Sequence, residues 1–180
     1  MATRLSRKLD YDDYARLPDD GKRYEILDGE LYVSPAPSPL HQRVSKRLQR
    51  KLEDHFEGRA LGEVFNAPID MILGRHDVAQ PDILVVTNPG QISGRGIEGA
   101  PLLVVEVLSP STRRHDRDVK MRRYAALGIL HYWIVDPEGR WIARYVLEGE
   151  AYRHIVTAEG DALMPTDWPD LTIVLADLWR

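Results

Sequence analysis

Between Pro39 and Phe56 the apolar residues Leu40, Val44, Leu48, Leu52 and Phe56 recur every fourth position, which draws a stripe along one side of a helix that Gly58 is expected to end. Elsewhere apolar residues fall in blocks of strand length. Arg23 to Val33 reads as two strands joined by Asp28-Gly29, a favoured hairpin turn. Three extended segments follow at Glu63 to Leu73, Asp82 to Thr87 and Leu102 to Leu108, and Gly90, Gly94, Gly96 and Gly99 mark a flexible loop before the third. Arg114 to Leu127 is helical in composition and stops at Gly128; His131 to Val135 is then a strand closed by Asp136-Pro137-Glu138-Gly139. A short helix near Tyr11 to Leu17 ends at Pro18, Arg140 to Val146 and Tyr152 to Val156 form hairpin material, and Leu171 to Leu175 is expected as a last edge strand.

Strand, helix, strand from Leu102 to Val135 predicts a crossover, which places Leu102 to Leu108 parallel and near to Tyr132 to Val135. No internal repeat or low-complexity linker divides the chain. With 180 residues, 43% of them hydrophobic, one α/β domain over residues 1–180 with a substantial core is the expectation.

Two acids interrupt this apolar pattern. In Leu102-Leu103-Val104-Val105-Glu106-Val107-Leu108 both faces are apolar except at Glu106, as in a central strand covered on both sides. A buried carboxylate is expensive unless it is paired or binds a metal, so Glu106 requires either a core Arg or Lys or a cation. Asp82 opens the run Ile83-Leu84-Val85-Val86 directly after Pro81, either as a turn or cap residue or as an acid aimed into a cleft. Acids on neighbouring strands can converge on one ion, and hard divalent cations bind through one or two carboxylates plus water and phosphate.

Composition narrows the chemistry. There is no cysteine, which excludes disulfides, thiolate zinc sites and cysteine nucleophiles. The longest apolar run is far shorter than the roughly 20 residues of a membrane span, and Arg4, Arg7 and Lys8 lead into Asp10, Asp12 and Asp13 instead of an apolar leader core, so no membrane span and a cytoplasmic location are expected. A net charge of −4 argues against coating nucleic acid by bulk electrostatics. Two local basic clusters are nevertheless available to a polyanion, Arg43, Lys46, Arg47, Arg50 and Lys51 in one helix and Arg113, Arg114, Arg117, Lys120, Arg122 and Arg123 in the other; the alternative is two solvated helix faces balanced by acids.

Glu25 interrupts an apolar strand and is either an auxiliary acid or a surface residue of the hairpin. His41, at the start of the long helix, faces the cleft or is exposed, and exposure is the expectation. Ser109, Ser111 and Thr112 are expected to cap the turn before the second helix, and Tyr132 and Trp133 to be core.

The chain resembles the Uma-two family of restriction-endonuclease-like proteins within the PD-(D/E)xK superfamily. The resemblance rests on Tyr24-Glu25-Ile26-Leu27-Asp28-Gly29-Glu30-Leu31, Ser34-Pro35, His41, Pro81-Asp82, Val105-Glu106-Val107-Leu108-Ser109-Pro110-Ser111-Thr112, and Asp116, Lys120 and Tyr124 ahead of Tyr132-Trp133-Ile134-Val135-Asp136. It implies a mixed β-sheet flanked by α-helices with additional antiparallel hairpins, a Mg²⁺ or Mn²⁺ site held by Asp82 and Glu106, and DNA as substrate. The superfamily lysine two residues after the second acid is Leu108 here; the resemblance offers Lys120 in its place, against the simpler reading of an ion pair with Asp116. The expectation is a metal-dependent endonuclease using Asp82, Glu106 and Lys120 with Glu25 as auxiliary acid; the alternative is a non-catalytic nucleic-acid or protein-binding module on the same fold. A homodimer stays open.

Overall fold

The computed structural model describes residues 7–180. The chain runs α1 (Tyr11–Tyr14), β1 (Arg23–Leu27), β2 (Glu30–Ser34), α2 (Pro39–Phe56), β3 (Glu63–Asn66), β4 (Met71–Gly74), β5 (Asp77–Ala79), β6 (Ile83–Val86), β7 (Ile92–Ser93), β8 (Gly96–Glu98) and β9 (Leu103–Val107). A π-helical segment, His115–Lys120, continues directly into α3 (Met121–Ala126), followed by β10 (His131–Asp136), β11 (Trp141–Glu148), β12 (Ala151–Ala158), β13 (Ala162–Leu163), β14 (Ile173–Val174) and α4 (Leu175–Trp179).

Two mixed six-stranded sheets result, in the orders β2-β1-β5-β4-β8-β7 and β12-β11-β10-β9-β6-β3, with β13 and β14 as a separate pair. The predicted crossover is present: β9 pairs in parallel with β10, and the π-helical segment and α3 connect them. The predicted hairpin is also present, with Asp28 and Gly29 both at positive φ (52° and 78°), the conformation a tight two-residue hairpin turn demands.

The second sheet is covered on both faces, and the period of two along its strands decides which side chain goes where. Leu103, Val105 and Val107 of β9 join Ile83 and Val85 of β6 beneath Val44, Leu48, Leu52 and Phe56 of α2. Each of those four helix side chains, buried to within 1% exposure, contributes about 1.5–3 kcal/mol of transfer free energy; Leu48→Ala should cost about 2–5 kcal/mol. The opposite residues, Leu84, Val86, Val104, Leu108, Tyr132 and Ile134, pack with Leu27, Met71, Ala79 and Ile97 of the first sheet and Tyr124 of α3. The first sheet therefore lies over part of the second, and the seam between them is where the acids emerge.

Several boundaries depart from the expectations. Leu40 is 37% exposed and the buried stripe of α2 passes through His41 instead. Glu63 to Leu73 is two strands in different sheets, interrupted at Pro68, where a ring without an N–H cannot continue a ladder. The glycine-rich loop contains β7 and β8, pinned because Gly96 approaches the Asp70 carbonyl so closely that a Cβ there would lie 2.2 Å from its oxygen. Only Ile173–Val174 of the last predicted strand is extended, and Leu175 begins α4. Among the described residues no helix is long and apolar enough to cross a membrane.

Candidate active site

Asp82 and Glu106 come from adjacent strands. β6 and β9 are antiparallel with Ile83 opposite Val105 and Leu84 opposite Val104, so continuing that register sets Asp82 opposite Glu106 on the face away from α2. Both are buried, at 4% and 2% exposure, and both line one cavity of about 190 Å³ with Lys120, Asp116, Arg23 and His41. From the first sheet, β1 directs Arg23 and Glu25 into the same region by the same two-residue period that sends Leu27 into the shared core. From above, Asp116, Lys120 and Tyr124 recur at four-residue spacing through the π-helical segment and α3 and point inward.

On the β6 side Arg23 Nη1 donates to Asp82 Oδ1 at 2.9 Å, while Asp82 Oδ2 accepts from the Val107 backbone N–H at 2.8 Å and lies 3.0 Å from His41 Nε2. Burial is the largest influence on Asp82 and opposes its ionisation, but the His41 hydrogen bond and the Arg23 charge outweigh it and hold the pKa down at about 2. On the β9 side Lys120 Nζ sits 3.0 Å from Glu106 Oε1, 3.0 Å from Glu25 Oε1 and 3.4 Å from Asp116 Oδ1. Tyr124 donates its hydroxyl to Glu106 at 3.0 Å, and the Gln80 N–H donates to Glu25 at 2.9 Å.

Here one ammonium faces three carboxylates. Burial first, and then the neighbouring acids Asp116, Asp82 and Glu25, push Glu106 well above the ordinary carboxylate range in spite of Lys120. Asp116 is raised chiefly by burial as well. Lys120 is held charged: desolvation works against its ammonium, but Glu106, Glu25 and Asp116 together raise its pKa well above that of an exposed lysine. With all four acids ionised, Arg23 and Lys120 leave two negative charges uncompensated in the cleft.

That excess is the charge of one divalent cation, and the donors are hard oxygens of the kind Mg²⁺ and Mn²⁺ accept. Glu25 Oε2 and Asp116 Oδ1 are buried without a hydrogen-bond partner among the described residues. No three His, Asp or Glu side chains among those residues close into a ready-made cage, so the fit is to an ion held by a pair of carboxylates and completed by water and substrate. The residues suit such an ion.

All four expected site residues, Asp82, Glu106, Lys120 and Glu25, meet in this cleft. Glu25 is not a surface residue of the hairpin; it is 1% exposed. His41 is not exposed either, at 8%, because it lies three residues before Val44 on the inward stripe of α2. The Lys120 amine reaches Glu106 and also lies near Asp116, the partner the simpler reading gave it. Leu108 is core, which leaves the amine to arrive from the helix. Arg23 escaped the sequence reading; its signal was the two-residue spacing from Glu25. Ser109 and Thr112 cap the turn as expected, their hydroxyl oxygens 3.0 Å apart, and Tyr132 and Trp133 are fully buried.

The model of the Uma2 family, described as "Putative restriction endonuclease", matches residues 11–176, nearly the whole chain. The chain belongs to the Uma2 family. A protein of Synechocystis sp. named "Uncharacterized protein slr1290" is 33% identical over 105 residues, which cover 58% of this chain and 55% of that protein, so the chain matches little more than half of that relative's length. The crystal structure of a protein from Anabaena variabilis, titled a "putative nuclease belonging to DUF820", superposes with a TM-score of 0.77 and 17% identity over 95% of this chain and 97% of that one. The two chains therefore share a fold, and the family's description supports a nuclease-like function.

Proposed function

We propose that this protein is a metal-dependent endonuclease that hydrolyses phosphodiester bonds of DNA, with Asp82 and Glu106 as the ligands of a Mg²⁺ or Mn²⁺ ion. The observation that carries the reading is the meeting of Asp82, Glu106 and Lys120, from three separate elements, in one cleft where four carboxylates face only the two cations Arg23 and Lys120. When bound, the cation supplies Lewis-acid polarisation of the phosphoryl group and activation of water near neutral pH. Arg23 and His41 keep Asp82 ionised and fixed in direction. Lys120, held charged by Glu106 and Glu25, places an ammonium beside the position where negative charge develops on the phosphoryl oxygens. Glu25 and Asp116 hold that ammonium in place, so Glu25 acts as a positioning acid.

A second reading, a nucleic-acid-binding module without catalysis, takes its support from Asp82, both of whose oxygens already have protein partners. Nicking of supercoiled plasmid separates the two. Wild type should nick with Mg²⁺ or Mn²⁺ and stop when the metal is chelated, and Glu106→Gln should lose at least about a hundredfold in rate, as expected when a group acting in the transition state is removed. Equal nicking by wild type and Glu106→Gln would sink the catalytic reading, and so would absence of cleavage under every metal condition.

A further inference from the structure

The groove along α2 opens directly from the cleft. It has a volume of about 520 Å³ and shares Arg23, His41 and Asp82 with the site, then runs outward between α2 and the end of β3 at Asn66 and Ala67. Its helical wall consists of Gln42, Ser45, Lys46, Gln49 and Arg50, whose spacing places them on one face of α2. Lys46 and Arg50 are exposed, and neither forms an ion pair among the described residues. Glu53, the acid of this wall, lies at the far end and accepts from Gln49 at 2.6 Å.

The other basic stretch is arranged differently. Arg113 pairs with Asp136 at 2.5 Å, Arg114 lies 3.7 Å from Asp118, and Arg123 grips Asp77 at 2.6 Å. Lys120 is buried in the site, and Arg117 lies over the Trp141 ring. Within α2 itself, Arg47 points away from the groove and donates to the Leu178 carbonyl at 3.1 Å. In a chain whose net charge is −4, Lys46 and Arg50 thus form an exposed pair of cations, without acidic partners among the described residues, where the groove leaves the cleft.

We propose that the α2 groove seats the DNA backbone on one side of the scissile phosphate, with Lys46 and Arg50 each contacting a phosphate and Gln42, Gln49 and Asn66 facing sugars or base edges. The inference rests on the nuclease reading and adds the path of the substrate. Lys46 and Arg50 are one helical turn apart, about 6 Å along the axis, whereas successive phosphates of a duplex strand advance about 3.4 Å, so the two cations address different phosphates. The amides add hydrogen-bonding partners without charge, which suits contact with sugars and bases once phosphates have fixed the register.

The test is fluorescence anisotropy with a short labelled DNA duplex, in Ca²⁺ to suppress turnover, over a series of salt concentrations. For Lys46→Ala/Arg50→Ala the slope of log affinity against log salt should be shallower than wild type by about 1.8, and low-salt affinity should fall by about tenfold or more. Arg114→Ala/Arg117→Ala should keep the wild-type slope and affinity. An unchanged slope in the groove variant, an equal loss in the second pair, or no binding by wild type each overturns the groove. Plasmid nicking keeps the two proposals apart. A raised KM with unchanged kcat in the groove variant supports the groove. Cleavage with unaltered KM overturns the groove and leaves the nuclease reading intact. Weakened binding by the groove variant, with no cleavage by any form, supports the groove and ends the nuclease reading.

Discussion

The two sides of the cleft hold the same functional group in opposite electrostatic states. Asp82 is satisfied: Arg23, His41 and a backbone N–H surround it, and its pKa is held down at about 2. Glu106 shares one ammonium with Glu25 and Asp116 and is pushed upward by burial and by its neighbours. The difference teaches that the β6 side is stabilising on its own, while the β9 side stores unfavourable charge that an added cation would relieve. Function costs stability on one side of the site only.

The largest expected effect comes from removing the cation of the crowded side. Lys120→Met leaves three buried carboxylates around an apolar side chain and should lower unfolding stability by about 3–5 kcal/mol, measured by urea denaturation. A loss below about 1 kcal/mol would show that the carboxylates were already protonated and that the ammonium matters little. With Lys120 at 3% exposure, Lys120→Ala should be destabilised as well.

Next in size is Asp82→Asn. The pKa of Asp82 lies below that of a carboxylate in the unfolded chain, so its stabilisation is present above about pH 4 and is lost as pH falls toward about 2. The substitution should cost about 2 kcal/mol at neutral pH, with the difference from wild type vanishing in acid. A pH-independent difference would contradict the charged partnership with Arg23 and His41.

The smallest effect has the opposite sign. The folded-state pKa of Glu106 is raised, so the folded state binds more protons than the unfolded one and this group's contribution to stability falls as pH rises above the ordinary glutamate value. In the presence of a chelator, Glu106→Gln should therefore match wild type near pH 4 and exceed it in Tm at pH 8. A Tm below that of wild type at pH 8 would mean that Lys120 compensates Glu106 fully, and the contrast between the two sides would collapse.

Much of this was legible before the fold was known, because local rules and tertiary structure agree. The stripe of α2, the Asp28-Gly29 hairpin and the parallel crossover follow from periodicity and turn chemistry, and Asp82 and Glu106 announce themselves as acids in apolar strands. What was hidden depends on elements distant in the chain. Whether Glu25 is buried is decided by Gln80 and Lys120, far along the chain, and the hairpin alone cannot reveal which of its faces is covered. The π-helical register of His115–Lys120 leaves no mark on hydrophobic period, and the split of Glu63 to Leu73 hangs on a single proline. His41 was readable from its place on the apolar stripe, had the stripe been drawn through it and not through Leu40.

Titration of Mn²⁺ into the protein by calorimetry, in two buffers of different ionisation enthalpy, tests most directly whether Asp82 and Glu106 form one cation site. Wild type should bind a single ion with proton release that grows as pH is lowered, because the cation competes with the proton for Glu106, whose pKa is raised, and Asp82→Asn and Glu106→Gln should each lose that binding. Saturable binding that survives in both variants, or none in wild type, would contradict the account.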